Sequence, residues 1–251
     1  MLSIIFYLFL VLLCSTILLL SAAALLLCAP FDPSRSVVHS LSRIMVHIFF
    51  AIPPLWRRRV EGLENIDSKK SYVIVMNHSS MLDIPILYML PLNFRWVSKR
   101  EVFSIPIFGQ FLMLHGDITI ERGNGAAAME QVMKQGCEWI RRGASVAIFP
   151  EGTRSKTGEM GRFKAGAFNL AREANVEILP VVLDGTDKMV LSNGLFNWRS
   201  RLTMRVLPPV TCQDGSHTAT REIMDRVKAD MVDALEEIRS TKDIEHKETG
   251  K

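Results

Sequence analysis

Apolar and polar positions divide the chain into three patterns. From Met1 to Pro30 the residues are almost all Leu, Ile, Val, Ala and Phe, and the first charged side chain is Asp32. A membrane-crossing helix needs about 20 apolar residues, and this run exceeds that length. A cleaved signal peptide would carry a basic start, an apolar core of roughly 7–15 residues and small residues before the cut. Met1–Phe6 contains no basic residue, and Leu25-Leu26-Leu27-Cys28 offers no such cleavage site. A retained anchor is therefore expected.

The second pattern covers 38–52. Val38, Leu41, Met45, Ile48 and Ile52 return at three- to four-residue spacing, while His39, Arg43 and His47 return every fourth residue. That spacing predicts a helix with one apolar and one basic face, lying in the membrane interface. Pro53 and Pro54 would end it. Arg57, Arg58 and Arg59 follow, beside Trp56. Basic residues after an anchor, with none before it, place the next domain on the cytoplasmic side. Trp56 would then sit at headgroup level. A solvated linker helix fits the same pattern.

The third pattern begins near residue 60, where short apolar runs alternate with amphipathic ones. Strands are expected at Ser71–Met76, Phe94–Ser98, Ile118–Glu121, Ser145–Phe149, Val176–Leu183 and Leu202–Leu207. Helices are expected at Asp83–Met89, Ala126–Arg142, Phe163–Ala174 and Thr220–Ile238. The alternation predicts an α/β fold: a mixed, largely parallel sheet flanked by helices, preceded by an N-terminal membrane-anchoring helical segment. The expected division is 1–59 for anchor and interfacial helix, 60–240 for the α/β domain and 241–251 for a polar flexible tail.

Composition adds exclusions. With 48% hydrophobic and 22% charged residues, the 251-residue chain is a globular type rather than a disordered or low-complexity one. Its net charge of +4 is too small and too mixed to indicate nucleic acid, and it suits a surface near anionic lipid. Cys14, Cys28, Cys137 and Cys212 form no CxxC or Cys/His pair. Neither a disulfide framework nor a metal site is expected.

Three motifs carry chemistry. His78 and Asp83 follow the first expected strand. On an ideal helix their spacing would set them ~140° apart, but a strand-to-helix loop lets the carboxylate reach the ring. The pair would act as a general base with its orienting acid, or Asp83 would simply cap a helix. No GxSxG elbow accompanies the pair, although Ser79 and Ser80 adjoin it. The second motif, Phe149-Pro150-Glu151-Gly152-Thr153-Arg154-Ser155, lies at a strand end, where α/β sheets collect ligands. Gly152 permits close backbone approach, Thr153 offers a hydroxyl and Arg154 a planar fork for phosphate; Arg162 and Lys164 follow shortly. The third is Gly116–Gly123, with Arg122 at the end of an apolar run. Lys99 and Arg100 precede Pro106 and Gly109. Each of these basic residues alone reads equally as solvated surface charge.

The ordered set NHSSMLD, GDITIERG, FPEGTRS and ILPVVL resembles the glycerolipid acyltransferase family over roughly residues 60–210, most closely its bacterial 1-acyl-sn-glycerol-3-phosphate acyltransferases. The resemblance implies transfer of a fatty acyl group from an acyl-CoA or acyl-carrier protein thioester to the sn-2 hydroxyl of lysophosphatidic acid, giving phosphatidic acid. It implies His78 as base, Asp83 as its orienting group, and Lys99, Arg122, Glu151, Gly152, Thr153 and Arg154 in substrate binding. No cofactor or metal is implied. The expected partners are the two substrates and a lipid bilayer, with no nucleic acid. The expected location is the bacterial inner membrane, with the domain facing the cytoplasm. Related readings are another acceptor (glycerol 3-phosphate or a different lysolipid), a lipid hydrolase using Ser79 or Ser80, and an inactive lipid-binding protein.

Overall fold

Leu2–Cys28 forms one 27-residue helix, α1. At 1.5 Å per residue it is about 40 Å long, and it is long and apolar enough to cross a membrane. The computed structural model describes residues 2–52, 56–121, 125–212 and 217–249. The expected helix-stopping Pro53 and Pro54 therefore lie outside the described residues, as does Arg122.

Helices α2 (Ser36–Ala51), α3 (Asp83–Leu87), α4 (Phe108–His115), α5 (Gly125–Arg141), α6 (Gly166–Glu173) and α7 (His217–Thr249) follow. The strands are β1 (Arg57–Glu61), β2 (Tyr72–Met76), β3 (Phe94–Lys99), β4 (Ile118–Ile120), β5 (Ser145–Ile148), β6 (Glu177–Asp184) and β7 (Arg201–Val206). They form a sheet in the order β1-β7-β6-β2-β5-β3-β4. β1 runs parallel to β7, and β3 runs parallel to β4 and β5; β6 and β7 are antiparallel. This is the expected mixed, mostly parallel sheet. All five residues of β2 are buried, so its apolar run carries no alternation.

The chain divides into two compact units. One comprises Met1–Pro54, Ser68–Val73 and Ile84–Ile148. Here α1 packs on α2 through Phe6 and Phe49, whose rings lie 5.6 Å apart. Most of α1 faces outward; Leu12, Leu19 and Leu26 are all exposed.

On α2, Ile48 of the expected apolar face is exposed, whereas His39 of the expected basic face is buried. Val38, His39, Ser42, Val46, Phe49 and Phe50 are inside, whereas Ile44, Ile48 and Ile52 are exposed. His39 stacks on Tyr88 at 4.8 Å and meets the edge of Phe94 at 4.6 Å. Below it sits a buried polar cluster. His115 Nε2 pairs with Ser42 Oγ at 2.7 Å, and its Nδ1 pairs with the Tyr88 hydroxyl at 2.8 Å. The carboxylate of Asp117 accepts the Trp96 N–H at 2.8 Å, and the buried Arg95 guanidinium lies over the Trp139 ring at 4.6 Å. A polar cluster that needs partners decides which side of α2 turns inward.

The second unit comprises Leu55–Asp67, Ile74–Asp83 and Phe149–Lys251. Its β1 runs across the expected boundary between residues 59 and 60, with Arg57 opposite Arg201 and Glu61 opposite Arg205. Trp56, expected at headgroup level, is buried instead. Its indole N–H donates to the Asn197 carbonyl at 2.8 Å and its ring stacks with Trp198 at 5.8 Å. The α7 helix continues to Thr249, so residues 241–249 are helical where composition predicts a loose tail. Arg239 of α7 ties together the Asp184 carboxylate (3.1 Å) and the Gly158 carbonyl (2.8 Å).

Candidate active site

Three strands end in loops that supply the site. The first loop leaves β2 at Asn77. Its side-chain amide donates to the Leu183 carbonyl and its amide oxygen accepts the Leu183 N–H, both at 2.8 Å. This two-way clasp on β6 fixes where the chain turns, and His78 is the next residue.

The His78 ring is held on two sides. Its Nδ1 lies 2.8 Å from Asp83 Oδ2, and its face stacks on Phe149 at 3.8 Å with 13° between planes. Since an ionised carboxylate only accepts hydrogen bonds, the neutral ring carries its proton on Nδ1. The Nε2 lone pair then makes no hydrogen bond among the described residues, and the side chain is 13% exposed. A base needs such a nitrogen: fixed in tautomer, held in orientation and reachable.

Asp83, at the start of α3, is fully buried. Besides the ring, its Oδ2 accepts the backbone N–H groups of Ser79 (2.7 Å) and Ser80 (2.8 Å). Its Oδ1 accepts the Thr186 hydroxyl at 2.5 Å. Four donors on one carboxylate compensate its loss of water. Thr186 is itself fully buried and lies 3.0 Å from Ser79 Oγ. It follows β6 through Gly185, whose φ is +98° and whose Cβ, if present, would stand 2.1 Å from the Arg201 carbonyl oxygen. Only glycine fits there. The sequence reading gave no role to Asn77, although it opens the NHSSMLD run, and missed Thr186, which no motif marks because its hydroxyl works through another residue.

Glu151 enters from the loop after β5. It is 6% exposed. Its Oε1 accepts the His78 N–H at 2.9 Å and its Oε2 accepts the Gly161 N–H at 2.8 Å. The Ser155 N–H donates to the His78 carbonyl at 2.8 Å. The Glu-Gly-Thr-Arg loop is thus stitched to the backbone of His78 on both sides. Gly152, at φ +71°, lies beneath the Lys164 side chain, whose Nζ would be 2.8 Å from a Cβ there. Thr153 and Arg154 are exposed. The Ser79 N–H is engaged by Asp83, and the Gly152 N–H by the Phe149 carbonyl.

Of the expected site residues, His78, Asp83, Glu151, Gly152, Thr153 and Arg154 belong to the same unit. Lys99 closes β3 in the other unit, in register with Ile120. The serines are not placed as nucleophiles: Ser79 Oγ faces Thr186, and Ser80 Oγ accepts the Leu82 N–H at 3.2 Å.

The acyltransferase family model matches residues 57–184. Among curated relatives, the chain is 38% identical over 171 residues to the chloroplastic 1-acyl-sn-glycerol-3-phosphate acyltransferase of Arabidopsis thaliana, spanning 66% of this chain and 47% of that one. It is also 38% identical over 159 residues to the 1-acyl-sn-glycerol-3-phosphate acyltransferase of Pseudomonas aeruginosa, spanning 61% and 60%. The chain thus spans about half the length of the first of these relatives. The crystal structure of the 1-acyl-sn-glycerophosphate acyltransferase PlsC from Thermotoga maritima superposes with a TM-score of 0.67 at 22% identity, covering 91% of this chain and 95% of that one. That likeness is one of fold.

Proposed function

The chain belongs to the acyltransferase family, and from that premise we propose that it moves a fatty acyl group from a thioester to the sn-2 hydroxyl of lysophosphatidic acid. The observation that carries the reading is the His78–Asp83 pair, 2.8 Å apart, with Nε2 left open. Nε2 takes the hydroxyl proton as the oxygen attacks the thioester carbonyl. The buried Asp83 stabilises the imidazolium that forms. The tetrahedral intermediate collapses with cleavage of the C–S bond, and the imidazolium returns its proton to the departing sulfur. Phosphatidic acid and free thiol are the products.

In this reading Arg154 binds the acceptor phosphate. Glu151 is a positioning residue: both carboxylate oxygens are spent on backbone N–H groups. Neither serine pairs with His78, which favours direct attack by a bound hydroxyl over a covalent seryl route. α1 holds the enzyme to the bilayer where both lipids reside, and the exposed Ile44, Ile48 and Ile52 of α2 rest in the interface. We place the α/β domain on the cytoplasmic side, because Arg57–Arg59 follow the anchor.

The test is phosphatidic acid formation in membranes carrying wild type or His78→Ala, supplied with lysophosphatidic acid and an acyl thioester. Product from wild type alone supports both reaction and base. Equal product from the two would overturn the role of His78, and thiol release without new lipid would point to hydrolysis.

A further inference from the structure

Beside the Glu-Gly-Thr-Arg loop lies a groove of about 900 Å³, walled by residues 151–165 and the first turns of α7. Its walls are built. The Lys164 N–H donates to the Pro150 carbonyl at 2.9 Å, the Gly161 N–H to Glu151 at 2.8 Å, and Arg239 to the Gly158 carbonyl at 2.8 Å. Phe163 is buried, while Arg162 and Lys164 on either side of it are exposed.

Charge is the distinctive property of this groove. Arg154, Arg162, Lys164 and Arg221 all line it, and none makes an ion pair among the described residues. The lining carboxylates are Glu151, whose oxygens are already occupied, and Glu159. Arg141 and Arg142, by contrast, both pair with Glu138. Converging cations without carboxylate partners repel one another and favour a polyanion. A lysophosphatidate phosphate, if held by Arg154, leaves three of the four unmatched.

We propose that this groove holds the phosphorylated adenosine end of an acyl-coenzyme A donor, with Arg162, Lys164 and Arg221 binding its phosphates. The inference rests on the acyl-transfer reading above. The volume falls within the range of small-molecule sites, roughly 300–1,000 Å³. Met160 and Met224 add apolar wall for the base. A carrier protein would instead need an extended surface of about 800 Å² per partner, whereas this site is a concave groove. The same loop is bonded to both sides of the His78 peptide unit, so a donor seated here extends its thioester arm from a wall fixed to the base.

Two measurements on the full-length protein in detergent test the assignment. In calorimetric titration with adenosine 3′,5′-bisphosphate, wild type binds and Arg162→Glu/Arg221→Glu loses at least about tenfold in affinity. In steady-state assays the same variant raises KM for acyl-CoA by a similar factor, with KM for lysophosphatidic acid shifting less than about twofold. The gap between variant and wild type narrows when S-acyl pantetheine, which lacks the nucleotide, is the donor. Arg162→Gln/Arg221→Gln, with a smaller change of charge, shows the same directions and controls for misfolding. Equal bisphosphate binding by wild type and both variants overturns the proposal. So does a KM rise confined to lysophosphatidic acid, or one seen only with an acyl-carrier protein donor. If wild type makes no phosphatidic acid from any donor, the acyl-transfer reading fails, and the titration still decides the groove.

Discussion

Among the described residues a histidine–aspartate neighbour stands in each unit, and the two have opposite characters. In the first, Asp83 is saturated with four donors and His78 keeps one ring nitrogen open. In the second, His115 has both ring nitrogens occupied, by Ser42 and Tyr88, and its Nδ1 stands 3.9 Å from Asp117. Among the described residues Asp117 Oδ2 has no hydrogen-bond partner. Burial, with the Arg95 charge adding to it, pushes His115 down to about 3. Burial pushes Asp117 up to about 7 against the pull of Arg95. The same two residue types therefore leave a ring nitrogen open in one place and are both pushed toward their neutral forms in the other. The difference lies in the donors around the carboxylate and the access to the ring, rather than in proximity.

The comparison is broken most directly by removing each histidine. His78→Ala is expected to lower turnover by about 10³-fold or more, within the range for loss of a general base, with a thermal midpoint near wild type. A large drop in midpoint would instead make His78 a structural residue. His115→Ala should do the reverse: a loss of about 3 kcal/mol in stability, from a buried cavity and two stranded hydroxyls. Turnover per folded molecule should stay within a few-fold, as read by denaturant titration alongside activity.

Smaller changes sharpen it. Thr186→Val removes one of four donors to Asp83, and kcat should fall about tenfold, while Thr186→Ser should restore most of it. A kcat unaffected by the valine would show that three donors suffice. Asp117→Asn addresses pH. A buried acid raised to about 7 contributes stability that is full at low pH and lost as pH climbs from 3.8 toward 7. A histidine lowered to about 3 contributes stability that is lost as pH drops from 6.5 toward 3. His39, buried beside His115 and also lowered well below the usual histidine range by burial, adds to the histidine slope, so Asp117 offsets only part of it in wild type. Asp117→Asn should remove that offset, so its denaturation midpoint declines more steeply on acidification than that of wild type. Parallel curves for the two proteins would contradict this account.

The sequence was most informative where burial alone decides structure. β2, β5 and β6 lie within a residue or two of the apolar runs at Ser71–Met76, Ser145–Phe149 and Val176–Leu183, because a strand buried on both faces needs nothing but apolar residues. β1 was hidden because three consecutive arginines erase the hydrophobic signal; charge of that kind is how an edge strand avoids unwanted pairing. The inward turn of α2 was hidden because His39, grouped with the basic residues, and Ser42 meet Tyr88 and His115, partners from distant sequence. At the site, the spacing of His78 and Asp83 left helix cap and catalytic pair open. In the structure Asp83 both heads α3 and holds the ring. Thr186 acts only through Asp83, across more than a hundred residues of sequence, and local pattern does not reach that far.

The hydroxyl of Thr186 sits between two oxygens, donating to Asp83 and standing within reach of Ser79 Oγ, where either atom can give the proton. It is a reversible fitting. Were an amide to replace the carboxylate at position 83, its oxygen would still receive the ring and the two backbone N–H groups. Its NH₂ would meet a threonine that turns its own hydrogen toward Ser79. Every hydrogen bond would survive, and only the negative charge would vanish. The architecture thus tolerates chemical silence without scarring: a descendant could stop turning over and still fold, bind lipid and persist. In this fold, integrity of the scaffold is no witness to activity.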